Sequence, residues 1–158
     1  MEEIDTYRKE LLSALGGVVD ELFKIVAGIP STAWYLPFGQ TSYTPHYTLA
    51  HLRVLEVQVF AIQLRRILDE ETPLLSVFDD GAWMTNHYRS QEPPFMIMED
   101  IGNLRMQELN GLRKLPTPAW SRTARHPWWG VHTLQWCVEL QLDYSNQHLR
   151  ELSPLLDM

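Results

Sequence analysis

The sequence contains a single cysteine, Cys137. An internal disulfide framework is therefore excluded, and such sparse cysteine usage suits a reducing, cytoplasmic setting. No apolar run reaches the roughly 18–20 residues that a membrane-spanning helix needs, so no membrane is expected as a partner. The opening stretch MEEIDTYRKE is acidic and polar, unlike a secretory signal. Basic charge is scarce as well. Lys and Arg number 13 against 20 Asp and Glu, the net charge is −7, and there is no Lys/Arg-rich tract. Nucleic acid and anionic membrane surfaces both attract a basic face, so neither is expected here. Also missing are a Gly-rich phosphate loop, a nucleophile elbow and a paired-carboxylate site.

What remains is an ordinary globular composition, 45% hydrophobic and 21% charged, in a length that suits one domain spanning residues 1–158. The apolar residues recur at helical spacing. Ile4, Tyr7, Leu11, Ala14, Val18, Leu22 and Ile25 form one stripe and predict a helix over about 3–27. A second helix, about 46–69, begins after Pro45. Its apolar residues spread nearly all round it, as on a helix covered by its own bundle and by a second subunit. A long connection follows and is expected to cross the bundle and shape a functional surface. A third helix, about 94–115, ends before Pro116, and a fourth, about 134–152, starts after Thr133 as N-cap. No alternating strand pattern stands out. Four helices with two long connections predict an all-α four-helix bundle with crossover loops.

Helix four places polar groups where apolar ones belong. At 100° per residue, Leu134, Cys137, Val138, Leu140, Leu142, Leu149 and Leu152 cover one broad arc. Gln141, Tyr144, Ser145 and His148 fall inside that arc, whereas Asp143 points outward. Tyr144 and His148 are one turn apart. On helix two, His51 shares a stripe with Leu55, Gln58 and Ile62. Buried polar groups cost a few kcal/mol each unless partnered. His51, Tyr144 and His148 should therefore bond to one another, to water, or to a metal, and imidazole suits Zn, Ni, Fe and Cu. Residue spacing leaves open a satisfied core cluster and an interhelical metal site.

The segments TLAHLRVLE, FDDGAWMTNHYR, LRMQELNGLRKLP and WSRTARHPWWGVHTLQWCVELQLDYSNQHLREL, in this order, resemble the DinB-like (DinB/YfiT-type) superfamily over nearly the whole chain. The most specific element is His-Pro-aromatic-aromatic-Gly-x-x-Thr-Leu, from His126 to Leu134. The resemblance implies a four-helix bundle, commonly a homodimer. It also implies a divalent metal (Zn, Ni or Fe) held by one histidine of helix two and an H-x-x-x-H pair of helix four. Carried onto this chain, His51 and His148 match two ligands, and Tyr144 stands where the family has the third histidine. A phenol with pKa near 10 ligates less readily than imidazole. Gln141, Gln58 or water are further candidates for the shell. Two functions follow from the resemblance. One is a metal-dependent enzyme of thiol S-transferase or hydrolase type, acting with a low-molecular-weight thiol or another small molecule. The other is a non-catalytic small-molecule-binding or stress-response dimer that has lost the metal.

Other residues are read as structural. His126 anchors the Trp128–Trp129 loop, His132 is solvated, and His46 and His87 have no partner by spacing. Arg105 either faces a cavity and binds an anion or reaches an acid on a neighbouring helix. Met84, Met96, Met98 and Met106 fill core or line an apolar pocket. Cys137, without a base nearby, is inert.

Overall fold

In the computed structural model, residues 2–39 and 42–157 are described. Helix α1 runs Glu2–Gly28 and buries Leu11, Leu15, Val18, Leu22 and Ile25, the stripe expected from the sequence. The second rod has three parts: α2 (Pro45–Leu55), a π-helical turn (Glu56–Phe60) and α3 (Ala61–Asp69). Thr44 caps its start, Oγ1 accepting the Tyr47 amide at 3.1 Å, with Pro45 in the first turn, where a missing N–H costs nothing. Helices α5 (Pro94–Arg113) and α6 (Leu134–Leu152) complete the bundle. Thr133 caps α6 as expected, accepting the Trp136 amide at 3.1 Å. Helix α1 packs on α5 and α6, and α2 packs on the same pair. None of the described helices is long and apolar enough to cross a membrane.

Three features depart from the sequence expectation. The long connection folds a further helix, α4 (Asp80–His87), capped by Asp79, whose carboxylate accepts the Ala82 amide at 3.0 Å. The aromatic loop is a β-hairpin of β1 (Thr123–His126) and β2 (Gly130–Thr133), antiparallel, with His126 opposite Gly130. Its three-residue turn needs a left-handed residue, supplied by Gly130 at φ +72°. Strands of four residues are too short for alternation to register against the surrounding helical pattern. The rod expected as one regular helix contains a π-turn, a local widening of the ladder that hydropathy periodicity does not encode.

Polar bonds join the helices inside the core. Arg105 of α5 is 2% exposed. Its Nη2 donates to Glu56 at 2.5 Å and to Ser145 of α6 at 2.9 Å, and its Nη1 donates to the Leu15 carbonyl of α1 at 2.9 Å. The guanidinium thus ties α5 to the other three rods and reaches an acid on a neighbouring helix. Gln141 donates to Glu56 at 3.0 Å and to Glu108 at 2.9 Å. This carboxylate pair, not anticipated from the sequence, joins residues 52 positions apart and engages the Gln141 amide nitrogen.

Burial, reinforced by the charge of Glu56, pushes the Glu108 carboxyl up to about 7. A folded pKa above the unfolded value means that the native state holds an extra proton between them. Stability from this group is present below about pH 4.5 and declines as pH rises through about 7. Unfolding free energies from urea titrations between pH 5 and 8 should fall less in Glu108→Gln than in the wild type, by up to roughly 3 kcal/mol across the window. Equal slopes would overturn the assignment.

Candidate functional site

The two histidines singled out from the sequence meet in a cleft between α2 and α6. His51 Nδ1 lies 3.5 Å from His148 Nε2, with the ring centroids 5.6 Å apart and the planes tilted by 44°. His148 is buried and His51 half-buried. Helix α6 puts His148 one turn beyond Tyr144, so that its Nδ1 donates to the Tyr144 carbonyl at 2.9 Å. That bond leaves the Nε2 lone pair facing His51. On the other side, His51 Nε2 lies 2.6 Å from Asp80 Oδ2, whose carboxylate accepts the ring N–H. Burial first, and then the nearby His51, hold the His148 imidazole below its ordinary pKa range, so it is neutral near pH 7.

Two ring nitrogens therefore face each other, with the far nitrogen of each ring tied to an outer acceptor; with His51 neutral both are acceptors. Facing lone pairs repel unless a proton, a water or a cation lies between them. Outer-ring hydrogen bonds to a carbonyl and a carboxylate are the arrangement that orients imidazoles around a metal. The spacing agrees: two nitrogens about 2.1 Å from a tetrahedral ion stand roughly 3.4 Å apart. By donor chemistry and by distance, the two imidazoles fit a borderline divalent cation.

Tyr144 lines the same cleft, half-buried, with its ring 5.8 Å from Phe60 of the π-turn. Cavities open on both sides of the His51–Tyr144 wall. One, about 410 Å³, is bounded by the π-turn, Leu75, Phe78 and the hairpin residues His126, Trp128 and Trp129. The other, about 510 Å³, holds His148, Tyr47, Met84, Arg150 and Glu151. Among the described residues, no group of three or more His, Cys, Asp or Glu forms a metal-holding cluster. The imidazole pair thus stands without a third such ligand among the described residues, with Tyr144 lining the same cleft. Gln58 lines the first cavity but not the second, and Gln141 lines neither.

Asp80 is the residue that sequence reasoning missed. It follows the α4 cap in FDDGAW, and an acid in a helix first turn has a sufficient structural explanation there. Only the fold shows that it reaches His51, 29 positions away.

The remaining candidates sort as follows. His126 is buried; its ring stacks on Trp129 at 4.0 Å and its Nδ1 accepts the Trp128 and Trp129 amides, so it anchors the loop. His132, expected in solvent, is 6% exposed and lies between Trp129 and Trp136, because the hairpin turns it inward. His46, expected to lack partners, is fully buried, with ring nitrogens 2.7 Å from the Tyr88 hydroxyl and 2.6 Å from the Glu92 carbonyl. His87 stacks on Trp83 at 4.0 Å. Met84 and Met98 are buried, whereas Met96 and Met106 are exposed. Cys137 has a thiol pushed up to about 12 by burial, which makes it unreactive.

No family model matches the chain, and no curated protein matches it. Among solved structures, YfiT from Bacillus subtilis, described as a probable metal-dependent hydrolase with an unusual four-helix bundle topology, superposes with a TM-score of 0.84. The match covers 94% of this chain and 85% of that one at 21% identity. The chain has the DinB/YfiT-type four-helix-bundle fold.

Proposed function

We propose that a chain with this fold and this cleft is a metal-dependent enzyme of the hydrolase or thiol S-transferase type. His51 and His148 would hold a divalent Zn, Ni or Fe ion, with Tyr144 at the third position as ligand or as hydrogen-bond donor to the reacting group. The observation that carries this reading is the opposed pair of ring nitrogens 3.5 Å apart, the far nitrogen of each ring bonded outward. A bound divalent ion supplies Lewis acidity, polarising a carbonyl and lowering the pKa of water or of a thiol. The chain's own residues do the rest. Asp80 orients the His51 ring, the Tyr144 carbonyl orients that of His148, and the hairpin tryptophans line the neighbouring cavity.

The test is metal content and melting behaviour of protein purified without a His tag. Zn, Ni or Fe at 100 times its dissociation constant should stabilise the fold by about 2.7 kcal/mol. His51→Ala and His148→Ala should each abolish the shift, and Asp80→Asn should weaken metal binding by about 10–100-fold. Wild type that carries no metal and does not respond to any of the three ions would refute the proposal.

A second reading, a small-molecule-binding or stress-response bundle that has lost its metal, is favoured by the absence of a three-residue ligand cluster among the described residues. The same metal titration decides between the two. We further infer a cytoplasmic homodimer built on the second rod, where Val57 is 41% exposed beside the half-buried Val54 and Ile62. Sedimentation at micromolar concentration should give twice the monomer mass, and a monomer would exclude the dimer.

A further inference from the structure

A separate groove of about 570 Å³ lies between the first turns of α1, the end of α5 and the connection that follows it, and it shares no lining residue with the two cavities at the histidines. Its wall contains Arg8, which is 9% exposed although it carries a full charge. Among the described residues one guanidinium nitrogen is hydrogen-bonded: Nε donates to Gln135 of α6 at 2.9 Å. Nη1 is buried and makes no hydrogen bond among the described residues, its nearest carboxylate, Asp5, standing 4.0 Å away. The guanidinium lies over the Trp120 ring, 5.2 Å from the centroid, which fixes its plane. A buried, unbonded donor on a charged group costs more than any other kind of unmet hydrogen bond, and an oxyanion would remove that cost.

The surroundings suit an anion with an apolar body. Lys9 and Arg113 border the groove, both exposed and without an ion pair among the described residues, in a chain whose net charge is −7. Asp5 is the one acid in its lining, and Leu12 and Leu112 line it beside Trp120. The guanidinium end beside Nη2, which also makes no hydrogen bond among the described residues, suits an oxygen of a carboxylate or phosphate, a charge-assisted bond in a fixed plane. We propose that this groove is a second binding site, independent of the histidine cleft, for a small organic oxyanion with an aromatic or aliphatic body. The oxyanion would lie on the terminal edge of Arg8, and Lys9 and Arg113 would supply the long-range attraction.

Calorimetric titration at low salt with benzoate and with phenyl phosphate tests this. Saturable one-to-one binding of at least one probe is expected, and the tighter of the two identifies the head group. Binding should weaken about ten-fold or more in Arg8→Gln and several-fold in the exposed double variant Lys9→Gln/Arg113→Gln, which leaves the core untouched. It should be unchanged in His51→Ala, so that loss of the metal reading and loss of this one remain distinguishable. Absence of saturable binding by both probes would overturn the proposal. So would binding that survives the double variant, or that disappears in His51→Ala.

Discussion

Arg105→Leu should destabilise the protein by about 3–5 kcal/mol, lowering the melting temperature by about 10–15 °C for a chain of this length. The size follows from what the substitution leaves behind. Glu56 has no solvent exposure, and without the guanidinium it keeps only the Gln141 amide as a donor. The Leu15 carbonyl and Ser145 hydroxyl lose their shared donor as well. The large effect belongs to the stranded charge, because a buried ion pair returns little net energy over an apolar pair. The double variant Arg105→Leu/Glu56→Leu should accordingly be the more stable of the two. A double variant at least as unstable as the single one would mean that the network is held by shape and not by charge.

Tyr144→His should raise the affinity for Zn or Ni by about 100-fold or more, equivalent to about 2.7 kcal/mol at 1.4 kcal/mol per decade. A phenol must lose a proton of pKa near 10 before it ligates well, whereas imidazole is neutral at pH 7. The substituted ring would stand one helical turn from His148 in the same cleft. Chelator competition on wild type and variant gives the ratio directly. An unchanged ratio would show that position 144 points toward Phe60 and the π-turn, away from the imidazole pair. The proposed third position would then be withdrawn while the two histidines stood.

Helix α6 shows how far periodicity alone can reach. Its bounds, its Thr133 cap, its buried Gln141, Ser145 and His148 and its exposed Asp143 all follow from 100° steps and capping chemistry. Those rules are local, acting over one or two turns, so the sequence carries them in full. The rod before it shows where periodicity stops. His51 was placed on a stripe of a regular helix, yet the turn at Glu56–Phe60 widens the ladder and turns the wholly buried Glu56 toward Arg105. Glu56 and Glu108 were each an ordinary helix acid until the packing of α5 and α6 brought Gln141 between them. His132 illustrates the same point from the opposite side, because its burial depends on a hairpin only four residues long on each strand.

The sequence by itself determined the helical bundle and the inward placement of one imidazole on the second rod and of an imidazole and a phenol on α6. Both follow from short-range spacing and from the cost of burying unpartnered polar groups. Tertiary structure alone decided that His51 and His148 face each other at 3.5 Å, that Asp80 supports one of them, and that Arg8 keeps a donor unspent. Each of these depends on distances between groups far apart along the chain, which no local rule constrains.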